Sequence, residues 1–234
     1  MKISGFKNFS LADYPDNIAC VVSTVGCNWR CPSCDALDFV IPERASKRHN
    51  IKKQQILDFL KRKKGIIQAV VLSGGEPTIH KALPQFCKDI KRMKYKIKLD
   101  TNGSNPEMIE KLINNKLVDY IALDIKAPKE KYPQMIGFSE SSSKYLVNNI
   151  ERSMELIKQA NDIDYEFKTL FSPALTRKDV LKIAHWIRPA KRYKLQLCRT
   201  QNPDNEDSED NEDHKTLYSI QHALAPFFDN CEIG

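Results

Sequence analysis

The sequence predicts an α/β fold: a partial (β/α)6, TIM-like barrel of parallel strands with outer helices. Three observations predict it. Short β-rich runs alternate with amphipathic helical stretches, which argues for a parallel sheet with helical crossovers. Six such units suffice for a partial barrel and fall short of the eight of a closed one. Several runs end in polar or glycine-bearing turns, at the strand ends where such sheets place their chemistry. A flat, doubly wound sheet is the alternative arrangement.

The strands are read at Ala19–Ser23, Ala69–Ser73, Lys96–Asp100, Tyr120–Asp124, Tyr165–Leu170 and Tyr193–Leu197. Helical spacing recurs between them. Ile51–Arg62 sets Ile51, Ile56, Phe59 and Leu60 near one face. Pro106–Asn114 follows a Thr101-Asn102-Gly103 turn, with Ser104 or Asn105 as its cap. Lys144–Ala160 and Thr176–Ile187 carry the same period, the second opening on Thr176 as a cap. No internal repeat is visible, and residues 1–234 read as a single domain. Asp204–Asp213, with seven acids and no base, reads as a solvated acidic loop before a helix at His214–Leu224.

The 234 residues are 41% hydrophobic, enough to bury a core. No apolar run approaches the roughly 20 residues needed to cross a bilayer. Met1–Ser10 lacks the apolar stretch of a signal peptide. A cytoplasmic location, with no membrane partner, is therefore the expectation. The formal net charge is +7, although the acidic run alone holds seven of the 30 acids. The remaining surface is strongly basic and can attract nucleic acid, nucleotides or an acidic protein partner, or is simply a set of solvated helix faces. No nucleic-acid partner is expected.

In a reducing compartment, clustered cysteines point to metal or redox work, not to disulfides. Four of the seven cysteines (Cys20, Cys87, Cys198 and Cys231) are scattered and read as buried structural thiols. The others form Cys27-x3-Cys31-x2-Cys34, directly after the first predicted strand. Iron–sulfur clusters are held by cysteine thiolates, one per iron in a four-iron cube. Three thiolates on a four-iron cube leave one iron open to a ligand. A zinc site prefers four ligands in two pairs, and no second pair is present. A thioredoxin-type pair would leave Cys27 unexplained.

This spacing after a first strand resembles the signature of the radical S-adenosylmethionine (SAM) superfamily. The strand at Ala69–Leu72 runs into Ser73-Gly74-Gly75-Glu76-Pro77-Thr78, which is similar to that family's SAM-binding turn. Glycines admit close backbone approach, and a carboxylate suits an ammonium. Asp100-Thr101-Asn102-Gly103, Asp124-Ile125-Lys126-Ala127-Pro128 and the N-terminal Phe6–Pro15 segment narrow the likeness. They resemble the activating enzymes of glycyl-radical proteins, above all the anaerobic ribonucleoside-triphosphate reductase activating group, with pyruvate formate-lyase activating enzyme as a relative.

The resemblance implies a 4Fe–4S cluster on Cys27, Cys31 and Cys34, with SAM on the open iron. Gly74, Gly75 and Glu76 would line the methionine end. Asp100, Thr101 and Asp124, with the Ala122 carbonyl, match positions that form a monovalent-cation site in the activating enzymes, and hard oxygen donors suit such an ion. As plain turn residues, Asp100 and Asp124 would instead cap helices. Lys126 matches the activating enzymes' Asp-x-Lys lysine, near the partner's glycine loop. Lys168 falls where relatives put a basic residue on the SAM carboxylate; alternatively it is an inward lysine paired with an acid. The activity implied is reductive cleavage of SAM to a 5′-deoxyadenosyl radical, which takes a hydrogen from a glycine of a partner enzyme. An electron donor such as flavodoxin or ferredoxin would serve it.

Two positions depart from that pattern. Ser33 stands where most members place an aromatic residue beside adenine, with Trp29 as a nearby substitute or as core packing. Asp35, directly after the third cysteine, is similar to the 7-carboxy-7-deazaguanine synthases, another radical SAM group. A small-molecule enzyme of that kind is the alternative function.

Overall fold

The computed structural model describes residues 1–34, 36–47, 50–138, 143–197 and 212–233. One eight-stranded sheet organises it: β1 (Ile3–Ser10), β2 (Ala19–Thr24), β3 (Ala69–Gly74), β4 (Lys96–Thr101), β5 (Tyr120–Asp124), β6 (Asp164–Phe171), β7 (Ala190–Leu197) and β8 (Phe228–Ile233). The strands lie in chain order, each beside the next. Only the β1–β2 pair is antiparallel. A doubly wound sheet reverses its order at a switch point. This sheet does not, so the winding is that of a barrel.

The helices are α1 (Leu37–Val40), α2 (Pro42–Lys47), α3 (Lys53–Arg62), α4 (Leu83–Arg92), α5 (Pro106–Asn114), α6 (Tyr132–Ile136), α7 (Ser143–Gln159), α8 (Arg177–Ile187) and α9 (Glu212–Leu224). The six strands and five helices read from the sequence are all present, within two residues at their ends except that β7 starts three residues before Tyr193, at Ala190. Asn105 is the α5 cap, accepting from the Met108 N–H at 3.2 Å. Flanking strands β1 and β8, and helices α1, α2, α4 and α6, are additional to that reading. Most of the acidic run, residues 204–211, lies outside the described residues, as do Cys198 and Asp35. Glu212 and Asp213 already belong to α9.

Side chains alternate across each strand, so the two sheet faces carry different chemistry. Val70, Leu72, Ile97, Leu99, Ile121, Leu123 and Phe167 face the helices and join one large buried cluster with Ile56, Leu60, Phe86, Ile109, Ile150 and Ile183. A smaller cluster, Tyr14, Ala19, Ala69, Val71, Tyr120 and Ala122, occupies the inner face. Its alanines leave room, and most of the remaining inner positions of β4, β5 and β6 are charged: Lys98, Asp100, Asp124, Glu166 and Lys168, with Leu170 beside them. Apolar packing therefore holds the helices, while the inner face is left to polar work.

β1 also closes the long excursion between β2 and α3. The Val25 N–H donates to the Lys2 carbonyl at 3.0 Å, and the Ile51 N–H donates to the Ile3 carbonyl at 2.8 Å. Both ends of the cysteine-bearing segment are thus held by adjacent residues, Lys2 and Ile3, where β1 begins.

α8 begins with a reciprocal cap. The Asp179 N–H donates to Thr176 Oγ1 at 3.3 Å, and the Thr176 N–H and Oγ1 donate to Asp179 Oδ2 at 2.8 and 2.7 Å. Lys131 Nζ donates to the same oxygen at 2.8 Å. Burial pushes the Asp179 carboxyl up, but the Lys131 and Thr176 donors outweigh it and hold it below its usual 3.8. The resulting stabilisation is whole above that value and is lost as pH falls through the lower, folded value. Asp179→Asn should therefore cost about 1 kcal/mol near neutral pH. In urea denaturation, the gap between variant and parent should close as the pH drops below 3.8. A gap that stays constant with pH would remove the charged bridge from the account.

Candidate active site

A cavity of about 350 Å³ opens at the carboxyl ends of the strands. Its lining contains Cys27, Cys31, Cys34, Gly74, Gly75, Glu76, Asp100, Thr101, Asp124, Lys126 and Lys168. Every site residue named from the sequence is thus brought to one pocket, although they span 142 positions of the chain from Cys27 to Lys168. Parallel winding explains this: each βα turn emerges at the same end.

Backbone contacts set the cysteine loop against the glycine turn. The Gly75 N–H donates to the Thr24 carbonyl at 2.8 Å, and the Glu76 N–H to the Gly26 carbonyl at 2.7 Å. Gly74 has φ +100°, and a Cβ there would lie 2.7 Å from the Thr24 backbone. A Cβ on Gly75 would stand 2.0 Å from the Gly26 carbonyl oxygen. Both positions therefore require glycine: any side chain would push the β2 and β3 turns apart. Below the loop, the Arg30 N–H donates to the Ile136 carbonyl at 2.9 Å. Trp29 is buried and meets the Tyr132 ring edge-on, with centroids 5.9 Å apart. Trp29 is therefore both core packing and pocket wall.

Glu76 ties a third turn to these two. Its buried carboxylate accepts from the Thr78 N–H (3.0 Å), Thr78 Oγ1 (2.5 Å), Thr101 Oγ1 (2.8 Å) and the Asn102 N–H (2.7 Å). Burial raises the Glu76 carboxyl, while these donors pull it the other way. The Thr101 hydroxyl is thus committed to Glu76, and it also accepts from the Gly103 N–H at 3.1 Å.

Asn102 carries the link on to the cysteines. Its Nδ2 lies 3.1 Å from Asn28 Oδ1 and 3.8 Å from Cys27 Sγ. Asn28 Nδ2 in turn donates to Ser104 Oγ at 2.8 Å. The Trp29 N–H approaches Cys27 Sγ at 3.4 Å. Donors aimed at a ligating sulfur tune an iron–sulfur centre. Asn102 lies within the Asp100–Gly103 motif seen in the sequence, but the reach of its side chain is a fact of the fold.

The three thiols suit the donor set of a four-iron cluster. Burial pushes Cys27 up to about 11, and Glu76 and the neighbouring thiols add to that. Cys31 is also raised by burial, with Lys126 opposing. Ligation by iron therefore displaces protons from these thiols. No three His, Cys, Asp or Glu side chains among the described residues converge on a single metal position. A cubane does not ask for that, because each thiolate takes its own iron. Ser33 lines the cavity without an aromatic ring; the aromatic side chains lining it are Trp29 and Phe39.

Asp124 and Lys168 sit on the inner face of β5 and β6. Lys168 Nζ lies 3.5 Å from Asp124 Oδ1 and 3.6 Å from Asp100 Oδ1. Lys126 Nζ donates to Asp124 Oδ2 at 3.0 Å. Burial raises the Asp124 carboxyl, but the two lysines outweigh it and hold it below the usual carboxylate range. Burial alone would lower Lys168; Asp100, Asp124 and Glu166 reverse this and keep it a cation above the usual lysine range. An ammonium of the chain therefore stands between the two carboxylates for which a monovalent cation was expected, and that ion does not fit the pocket as built.

Replacing Glu76 with Gln keeps the shape but turns a donor toward at least one of the four donors it now receives. The expected cost is about 1–3 kcal/mol of stability, read by chemical denaturation. An unchanged denaturation midpoint would mean that the carboxylate is not the tie between the turns.

The sequence pattern of the Radical SAM superfamily matches residues 21–187. A Methanocaldococcus jannaschii protein, provisionally named a glycyl-radical enzyme activating enzyme, is 33% identical over 199 residues, 83% of this chain and 78% of that protein. The 7-carboxy-7-deazaguanine synthase of Aquifex aeolicus is 28% identical over 165 residues, 68% of this chain and 70% of that one. Among solved structures, anSMEcpe with bound AdoMet superposes with a TM-score of 0.61 at 19% identity. That alignment covers 88% of this chain and 58% of the other, so the chain spans less than two thirds of that protein's length. The chain belongs to the radical SAM superfamily, and that membership implies a 4Fe–4S cluster and SAM as its cofactors.

Proposed function

We propose that this radical SAM enzyme generates a glycyl radical on a partner protein, with anaerobic ribonucleoside-triphosphate reductase as that partner. The observation that carries the reading is the 33% identity, across 83% of the chain, to a protein provisionally named as such an activating enzyme. The position of Lys126 supports it. Lys126 lines the cavity, follows Asp124 at the end of β5 and acts electrostatically on Cys31. A cation there can hold a backbone carbonyl of an incoming glycine loop beside the reacting end of the pocket.

When bound and reduced, the cluster supplies the electron that cleaves SAM, and the hard chemistry belongs to these cofactors. The chain's own residues bind and orient. Cys27, Cys31 and Cys34 hold three irons. Gly74 and Gly75 bring backbone close to the methionine end, and Glu76 fixes that turn in place. Phe39 and Trp29 offer the apolar wall that adenine needs where Ser33 offers none. Hydrogen-atom transfer requires no general base, and none is assigned. The electron comes from a flavodoxin or ferredoxin, and the basic surface suits such acidic donors.

One observation favours a second reading. Identity to a 7-carboxy-7-deazaguanine synthase is 28% over 68% of the chain, in keeping with Asp35 after the third cysteine. That reading makes the substrate a small molecule.

One experiment separates the two. Anaerobically reconstituted protein is incubated with SAM, a reductant and either a glycine-loop peptide or 6-carboxytetrahydropterin. The first reading expects faster 5′-deoxyadenosine release with the peptide and a glycyl-radical signal in electron paramagnetic resonance. Turnover of the pterin without a peptide effect would overturn it. Cys31→Ala should abolish 5′-deoxyadenosine formation while leaving the protein soluble; parental rates would remove Cys31 from the cluster. Lys126→Ala should reduce partner activation more than uncoupled SAM cleavage. Equal losses in both would assign Lys126 to SAM.

A further inference from the structure

Six charged side chains on the inner face and its rim form a chain of alternating sign. Glu166 Oε1 accepts from Lys98 Nζ at 2.9 Å. Lys98 lies 3.8 Å from Asp100, Asp100 lies 3.6 Å from Lys168, and Lys168 lies 3.5 Å from Asp124. Lys126 ends the chain at 3.0 Å from Asp124. Three acids meet three lysines, so the set is neutral as it stands. The middle of it is enclosed: the side chains of Lys98 and Glu166 are 6% exposed and that of Lys168 is 13% exposed. Asp100 Oδ1 is buried without a hydrogen-bond partner, so its compensation comes from the two ammonium groups. A further monovalent cation between Asp100 and Asp124 would meet the Lys168 ammonium and leave an uncompensated buried charge, which is costly.

We infer that Lys168 is the resident cation of this pocket, in place of a bound metal ion, and that SAM binding by this protein is independent of sodium and potassium. The inference rests on the reading of the cavity as the SAM site, and deepens it. Lys168 supplies a fixed positive charge below the carboxylate end of that site, and its position is set by β6 rather than by an ion's occupancy. Lysine is suited to this: its charge sits on a flexible stem and donates in three directions, enough to face Asp100, Asp124 and a ligand carboxylate together.

The test is SAM affinity, by equilibrium binding to the reconstituted protein, in potassium chloride and in tetramethylammonium chloride of equal ionic strength. Thermal midpoints in the same two salts, measured without SAM, form a second arm. The parent protein should show the same affinity and midpoint in both salts. Lys168→Ala should bind SAM about tenfold more weakly in tetramethylammonium, because an unpaired charge is left buried, and potassium or ammonium ions should restore it by filling the space. Lys168→Met removes the charge but fills the space, so it should be weakened without ionic rescue. About a tenfold loss of parental affinity on removing potassium would overturn the inference, since it would show that an ion is already required. Identical salt responses of the alanine and methionine variants would overturn it too. Should Lys168→Ala fail to fold, the parental comparison still decides. A parent that binds SAM in neither salt refutes the reading of the site, whereas a potassium-dependent parental midpoint refutes the lysine alone.

Discussion

The site depends on one contact, the Glu76 carboxylate against the turn that follows β4. Its oxygens draw the ends of β3 and β4 together, while the backbone of the glycine turn after β3, at Gly75 and Glu76, is bonded to the segment leading into the cysteines. Three separate strand ends thus become one rigid floor. The cost of burying a carboxylate is met by four donors. Because Asn102 both donates its backbone N–H to Glu76 and extends its side chain toward Cys27, a displacement at the glycine turn is felt at the cysteine loop. The glycine turn and the cysteine loop are one structural unit.

The inner face departs from the filled interior of closed barrels, which is dominated by bulky branched residues. Here alanines and charges replace them. Adhesion comes from the opposite face, where strand residues such as Leu72, Leu99 and Ile121 pack under the helices. This division lets the interior hold ionised groups without weakening the shell. The charges carry their own condition: each must alternate with its opposite, since a lone ion in such a place would lose several kcal/mol of solvation, on the order of what a whole domain has to spare.

Much of this was legible in the sequence. The cysteine spacing, the glycine turn and the carboxyl-end motifs are local patterns, and parallel winding brings them together without further information. β1 and β8 were not legible, because their residues (ISGFKNFS and FDNCEI) show neither sustained alternation nor branched apolar runs. α4 does carry a helical period, Leu83, Phe86, Cys87 and Ile90, but its start is hidden behind the Glu76–His80 turn and Pro84. The partners of the inner charges could not be read at all. Lys98 and Glu166 are 68 residues apart, and each looks in its strand like an ordinary solvent-facing position. Only the register of β4, β5 and β6 makes them neighbours. Glu76 was visible as a candidate for SAM's ammonium, while its structural office appears only when Thr101 and Asn102 are seen beside it.

The first strand has a consequence for how such a protein can be assembled. Because Lys2 and Ile3, at the start of β1, grip the cysteine-bearing excursion at both ends, the stem of that excursion is shut by peptide hydrogen bonds. Iron is then a guest in an already closed house. The bonds that hold the stem involve no cysteine side chain, so the loss of a cluster would leave them in place.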